Sequence, residues 1–443
     1  MKRKIYEELI NWKNDKKHKP LMILGARQVG KTYTIREFCK NEYANYIEIN
    51  LFERKDIVKI YKSMDPSETK LIKFKALVGA DLEDADTIIF IDEIQESKEI
   101  IAELKFFNEK HQNINIICAG SLLGIMLKRT NFSFPVGQIK MLDMFPLNFE
   151  EFLLAFNEEI LIDLITDSFN KNLKLDEPLH DKAMNYYRYY LCVGGMPEIV
   201  QNLIYNGCDV TKCDESILKD ILKSYYNDMS KYIKNKNEAI KIERTYNSVA
   251  PQLANENNRF KFRSIYEGAK KRDYDSAVDW LLKSNIILQS FNIKIPETPL
   301  KGFIDLDYYK IFVSDVGVLT NMLNIRFGNI LTDDISIYKG AIVENYVATN
   351  LISFNKPLYY FSKRKDQQDK NKEAMEIDFL IDTKNGIIPI EVKAGKKVKA
   401  LSLDKYIKDY NPKYAIRISA RNFGFNKNIK SIPLYAVFCI KDL

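Results

Sequence analysis

The sequence predicts an α/β protein of more than one domain, and three observations carry this. The chain has 443 residues, more than one hydrophobic core ordinarily serves; length favours two to four domains. Short apolar runs of the buried parallel-strand type recur at 21–24, 44–50, 87–91 and 114–119, with helix-like stretches between them. Near the C-terminus, residues 376–381 and 387–393 read as two strands around a tight turn. Apolar residues at 46% and charged residues at 29% are globular values and exclude wholesale disorder. Gly (17) and Pro (13) are too scarce for a fibrous or low-complexity chain. No apolar run approaches the roughly 18–20 residues that span a bilayer, so no membrane partner is expected. Met1-Lys2-Arg3-Lys4 looks like the start of a signal peptide, but Glu7, Glu8, Asn11, Lys13 and Asp15 stand where its apolar segment should be. Six scattered cysteines and three isolated histidines form neither a disulfide framework nor a zinc spacing, so a cytoplasmic setting is expected.

The run Leu21-Met22-Ile23-Leu24 leads straight into Gly25-Ala26-Arg27-Gln28-Val29-Gly30-Lys31-Thr32. This is G-x-x-x-x-G-K-T in full, followed by a helix-like stretch from Tyr33 to Lys40. Gly25 and Gly30 let the loop close on phosphates, with backbone N–H groups and a helix N-terminus facing the anion. Lys31 is suited to the β- and γ-phosphates, and the Thr32 hydroxyl to Mg²⁺. The partner is the strand over 87–91, which ends in Asp92-Glu93: Asp92 to hold the Mg²⁺ shell, Glu93 to orient and deprotonate the attacking water. The bland alternative, that both acids cap a helix, does not account for four strands in order beside an intact loop. The run at 114–119 ends at Gly120-Ser121, where Ser121 could sense the γ-phosphate. Residues 25–32, Asp92 and Ser121 are the expected nucleotide-binding set, with Lys31 and Glu93 catalytic. No Asn-Lys-x-Asp segment is present, so ATP is expected rather than GTP.

These segments resemble a family of prokaryotic AAA-type P-loop ATPases that carry a C-terminal domain of unassigned function. The resemblance rests on Gly25 to Thr32, Ile91-Asp92-Glu93-Ile94-Gln95, Ala119-Gly120-Ser121, Phe134-Pro135-Val136-Gly137 and the stretch from Phe145 to Phe152. It extends to Tyr190-Leu191-Cys192-Val193-Gly194-Gly195-Met196-Pro197-Glu198 and to Lys339-Gly340 with Glu344. Gln138 departs from it, since the family often has a basic residue there; Arg27 and Arg129 remain as nearby arginines.

From Glu151 to about Ile204 the pattern is helical. The tyrosines 186, 187, 189 and 190 read as packing rather than a base-stacking surface. Gly194-Gly195 before Pro197 marks a helix break, read as a hinge or a tight contact to the nucleotide domain. Helices over 240–253, from Ser264, and over 276–283, then strands over 286–291 and 308–313 around Pro296 and Pro299, give a winged-helix order. Asp273, Asp275 and Asp279 would repel phosphate, so DNA contact and protein packing stand equal for this part.

In the C-terminal hairpin, Asn385-Gly386 reads as the two-residue turn, which pairs Lys384 with Ile387. Phe379 then faces Val392, Ile381 faces Ile390, Asp378 pairs with Lys393, and Glu391 lies diagonally beside Asp378. Asp378 and Glu391 would be hard oxygen ligands for Mg²⁺, with Glu344 from a preceding helix completing the shell. Lys393 would position or activate a water and stabilise the anion. The order E…D…E-x-K resembles the PD-(D/E)xK restriction-endonuclease-like core, with Ile377 where a proline is usual. Against this stands an ordinary hairpin ion pair. Residues 339–443 hold 20 Lys and Arg against 11 Asp and Glu, net +9, whereas the first 338 residues net −2. Lys363, Arg364, Lys365, Lys396, Lys397 and Lys399 would line a cleft for a nucleic-acid backbone.

The expected architecture is thus a P-loop ATPase domain over 1–160, a helical and winged-helix region over 161–335, and a restriction-endonuclease-like α/β domain over 336–443. The expected function is a Mg²⁺-dependent ATPase coupled to a nuclease-like domain that acts on or binds DNA. The alternative is a nucleotide-dependent switch whose C-terminal domain binds DNA or protein without cleaving. A homo-oligomer is left open.

Overall fold

The computed structural model describes residues 1–121, 134–231, 233, 235–255, 259–335, 337–363, 375–395 and 401–443. Arg129, Arg364, Lys365, Lys396, Lys397 and Lys399 lie outside them. Among the described residues no helix is long and apolar enough to cross a membrane. The chain forms two compact units: Lys2–Phe145 with Lys283–Asn285, and Met1 with Pro146–Leu282 and Ile286–Leu443.

The first unit is built on β1 (Leu21–Leu24), β2 (Asn45–Asn50), β3 (Thr87–Asp92), β4 (Asn115–Gly120) and β5 (Lys140–Asp143). All pairs are parallel, in the order β2-β3-β4-β1-β5. β3 and β4 are buried at every residue, which is why they read as unbroken apolar runs rather than as alternation. Helices at Lys55–Lys62, Ser67–Val78 and Lys98–Lys110 cover the sheet with Ile57, Leu71, Phe74 and Leu104, packed on Ile49, Ile89, Ile91 and Ile116. The four strands expected from the sequence are present. β5 was not expected: its four residues are alternately half-buried and exposed, too short a signal to read. Because β4 lies between β1 and β3, its C-terminal end falls between the phosphate loop and Asp92.

The second unit carries one eight-stranded mixed sheet. Its strands are β6 (Ile287–Ile293), β7 (Ile304–Val313), β8 (Tyr359–Lys363), β9 (Met375–Thr383), β10 (Gly386–Val392), β11 (Ala415–Ser419), β12 (Gly424–Asn426) and β13 (Ile429–Pro433). The order is β12-β13-β11-β10-β9-β8-β6-β7. β6 and β7 form the antiparallel pair expected of a wing, but β6 also pairs in parallel with β8 through Phe291↔Tyr359 and Asn292↔Tyr360. The hairpin therefore runs into the C-terminal sheet. Helices Lys236–Leu253 and Lys271–Lys283 precede it. The helix expected to start at Ser264 is instead a single 3-10 turn, Phe262–Ser264, because Gly268 at φ +79° turns the chain away.

The Gly194-Gly195 break does end a helix, Glu177–Val193. The contact it makes is with Leu147: a Cβ on Gly195 would stand 2.0 Å from the Leu147 carbonyl oxygen. The Leu147 N–H donates to the Gly195 carbonyl at 2.7 Å. The Gly195 N–H donates to Asp315 Oδ2 at 2.7 Å, and Asp315 Oδ1 caps the next helix by accepting from Val318 N at 2.9 Å. Burial pushes the Asp315 carboxyl up to about 6 although these backbone donors pull it down. Tyr187 and Tyr190 are buried with Phe149 and Tyr346 in edge-to-face contacts, as packing residues.

The C-terminal hairpin corrects the expected register. Gly386 pairs with Thr383 and Ile390 with Phe379, so the loop is Lys384-Asn385, with Gly386 at φ +100° opening β10. Every partner moves by two residues. A shift of two keeps each side chain on its face, so the apolar and polar faces are those expected while the individual pairs are not. Continued by one residue past Ile390↔Phe379, this register sets Asp378 opposite Glu391 rather than Lys393, which lies beyond the end of β10.

Candidate functional site

In the first unit the loop after β1 turns through positive φ at Gly25 (+150°), Gln28 (+65°) and Gly30 (+94°) before helix α1 (Lys31–Glu42) begins. Gly25 is required: a Cβ there would stand 2.2 Å from the Met144 carbonyl oxygen. Lys31 is buried, and its Nζ donates to the carbonyls of Gly25 at 2.9 Å and Ala26 at 2.7 Å. Thr32 Oγ1 donates to Asp92 Oδ2 at 2.9 Å, and the Glu93 N–H donates to Asp92 Oδ1 at 2.9 Å. Burial raises the Asp92 carboxyl above its usual range, against the Thr32 and Glu93 hydrogen bonds. Glu93 itself sits at φ +54°, which is uncommon for a residue with a Cβ. Its carboxylate accepts from Gln95 Nε2. Gln95 is a positioning contact that the sequence reading quoted only as part of a motif. Ser121 Oγ is buried with no partner among the described residues.

This arrangement fits a nucleotide with Mg²⁺. The loop presents an ammonium among carbonyls inside a closed turn, Thr32 and Asp92 already meet, and Ser121 offers an unsatisfied hydroxyl at the end of the intervening strand. Arg27 and Val29 complete the loop, the Val29 carbonyl accepting from Arg3 Nη1 at 2.8 Å. Gln138, where a basic residue was expected by resemblance, hydrogen-bonds Asn108.

The second unit brings Glu344, Asp378, Glu391 and Lys393 together, from helix α2 (Lys339–Ser353) and strands β9 and β10. Asp378 Oδ2 accepts from the Val392 N–H at 2.7 Å. Lys393 Nζ contacts Glu391 Oε1 at 2.5 Å, while Glu391 Oε2 is buried without a partner among the described residues. Arg417 on β11 pairs in register with Glu391. Burial, then the charges of Glu344 and Glu391, hold the Asp378 carboxyl well above the usual range. Burial also raises Glu391, against Lys393. Burial would lower Lys393, but the Glu391 carboxylate outweighs it and leaves the ammonium more firmly protonated. An ammonium held this way is suited to stabilising an anion or positioning a water.

The residue the sequence reading missed is Lys310 on β7. It is 2% exposed, and its Nζ lies 2.8 Å from Glu344 Oε1 and 2.8 Å from Glu376 Oε1. Burial opposes its charge, but Glu344, Glu376 and Asp378 together raise its pKa. Its signal was a lysine inside the strand run Tyr308-Tyr309-Lys310-Ile311-Phe312-Val313, where a charge needs a buried partner. Among the described residues no three His, Cys, Asp or Glu side chains stand so as to hold a metal ion. Of the expected Mg²⁺ ligands, Glu344 is ion-paired to Lys310, an amine from outside 336–443, and Glu391 to Lys393.

Residues 17–153 match the family model of the AAA domain. Residues 184–328 and 339–437 each match a domain of unknown function, DUF8612 and DUF4143. The N-terminal part is an AAA-type P-loop ATPase domain. Among solved structures the chain is similar to the Walker-type ATPase PABY2304 of Pyrococcus abyssi, at 18% identity over 72% of this chain and 94% of that one, with a TM-score of 0.44. It is also similar to the Aeropyrum pernix ORC2 protein in its ADPNP–ADP complexes, at 11% identity over 75% and 92% of the two chains, TM-score 0.32. A third is a signal transduction ATPase with numerous domains, PH0952 from Pyrococcus horikoshii, which has a tetratricopeptide repeat sensor: 15% identity over 80% and 45%, TM-score 0.28. No curated protein matches.

Proposed function

We propose that this chain hydrolyses ATP with Mg²⁺ in its N-terminal domain and uses that cycle to govern a C-terminal nuclease-like module that engages DNA. The observation that supports the ATP half is the meeting of Lys31, Thr32 and Asp92 around one loop end. Lys31 would leave its carbonyls for the β- and γ-phosphates, Thr32 and Asp92 would hold Mg²⁺, and Ser121 would contact the γ-phosphate. Glu93, tethered by Gln95, would orient the attacking water and take its proton. Bound Mg²⁺ supplies charge neutralisation at the phosphates.

For the C-terminal half, the polar face of β9 and β10 lies in a stretch of net charge +9, and Lys393 and Arg417 are cations suited to a phosphate backbone. A second reading, a switch that binds DNA without cutting it, is favoured by Lys310, whose ammonium already pairs with Glu344 and Glu376. Supercoiled plasmid incubated with the pure protein and Mg²⁺, with and without ATP, separates the two. Nicking that disappears in Asp378→Asn supports cleavage. Retarded but intact plasmid, with affinity falling as salt rises, supports binding alone. No retardation and no nicking in either nucleotide state overturns the DNA reading altogether.

A further inference from the structure

Three features of the acid cluster belong together. Glu344, Asp378 and Glu391 converge from a buried helix and two strands, a carboxylate set that would ordinarily call for a cation. Glu391 Oε2 points into buried space with no partner among the described residues, and Glu391 is 4% exposed. Beside Lys393 on Glu391, the cluster holds a second cation that is covalently part of the chain: Lys310 Nζ spans Glu344 and Glu376 at 2.8 Å each, and Lys310 is buried.

We propose that Lys310 is a built-in counter-cation that keeps divalent metal out of this cluster, so that metal binding there requires its side chain to be removed or withdrawn. The charge argument is direct. A divalent ion bound to Glu344 would have to share that carboxylate with the Lys310 ammonium, 2.8 Å from Oε1, and would meet its repulsion at short range in a buried place. The ammonium also arrives on β7, away in sequence from the acids, so its position is set by the pairing of β6 with β8 rather than by the hairpin that carries Asp378 and Glu391. This inference rests on reading the cluster as nuclease-like, but the test below does not depend on DNA cleavage.

The experiment is Mn²⁺ binding to the full chain without nucleotide, followed by electron paramagnetic resonance, in wild type, Lys310→Met, and Lys310→Met with Asp378→Asn. Wild type should show no Asp378-dependent Mn²⁺. Lys310→Met should gain one such ion, tighter by at least roughly tenfold, since a unit positive charge has been removed from the Glu344 carboxylate. The added Asp378→Asn should abolish the gain. Should Lys310→Met fail to fold, Lys310→Met with Glu344→Gln removes both halves of the buried pair and should still bind more Mn²⁺ than wild type. Asp378-dependent binding in wild type, or a folded Lys310 variant that gains none, overturns the proposal. Gained Mn²⁺ without plasmid nicking leaves this inference standing and removes only the cleavage reading. Wild-type nicking together with wild-type Mn²⁺ binding does the reverse.

Discussion

Lys31 and Lys310 are both buried lysines with hydrogen-bonded ammonium groups, yet their company differs. Lys31 donates to two backbone carbonyls, which are neutral. Lys310 contacts two carboxylates. A carbonyl holds an ammonium loosely enough for a phosphate to take it over, whereas a buried carboxylate with a second, half-exposed one beside it satisfies the charge outright. The difference teaches that burial of a lysine does not by itself mark a binding site. What its partner can give up does.

The largest expected effect tests the Lys310 side of this comparison. Lys310→Met should lower the unfolding free energy by about 3–5 kcal/mol, because it removes the ammonium paired with the buried Glu344 carboxylate beside Asp378. Urea denaturation checks it; a loss under about 1 kcal/mol would mean the ammonium was not neutralising the acids. Next, Lys31→Ala should reduce ATP turnover by roughly 10²–10³-fold, the scale for losing a preorganised charge at a transition state. Its melting temperature should fall far less than that of Lys310→Met, since the hydrogen bonds lost at Gly25 and Ala26 are to neutral carbonyls. Glu93→Gln should retain ATP while hydrolysis falls by roughly 10²-fold, read as phosphate release against nucleotide retention on a filter.

Asp315 gives a pH test confined to the second unit. Its folded carboxyl titrates at about 6, above the unfolded value. The folded state therefore holds the proton more tightly, and that contribution is present at low pH and lost as pH rises from the ordinary carboxylate value through about 6. The loss amounts to about 2–3 kcal/mol, and a denaturation series from pH 4 to 7 should lose that slope in Asp315→Asn. The smallest effect is Glu376→Gln. This partner of Lys310 is 39% exposed, so its loss should cost about 1 kcal/mol or less, well under the effect of Glu344→Gln.

The phosphate loop was legible because its chemistry is contiguous: eight residues carry the glycines, the lysine and the hydroxyl, and burial on both faces makes the flanking strands unmistakably apolar. The polar face of the C-terminal hairpin was legible for a different reason, that strand parity survives an error of two in register. The error itself came from Asn385-Gly386, which offers a turn at two neighbouring frames. Thr383 decides between them, since its hydroxyl donates to the Gly386 carbonyl at 2.7 Å. Lys310 was not legible as a member of the cluster, because its partners Glu344 and Glu376 lie 34 and 66 positions onward and meet it only through the pairing of β6 with β8. β5 was hidden by its length.

The seam between the two uncharacterised family segments falls at 328–339, but the eight-stranded sheet runs straight across it. A fragment beginning at Lys339 would lose β6 and β7, leave the backbone of β8 unpaired along one side, and strand a knot of negative charge without its internal antidote. The inherited module and the unit that can fold alone are then different objects, and a C-terminal fragment expressed by itself would report on a protein that the intact chain never contains.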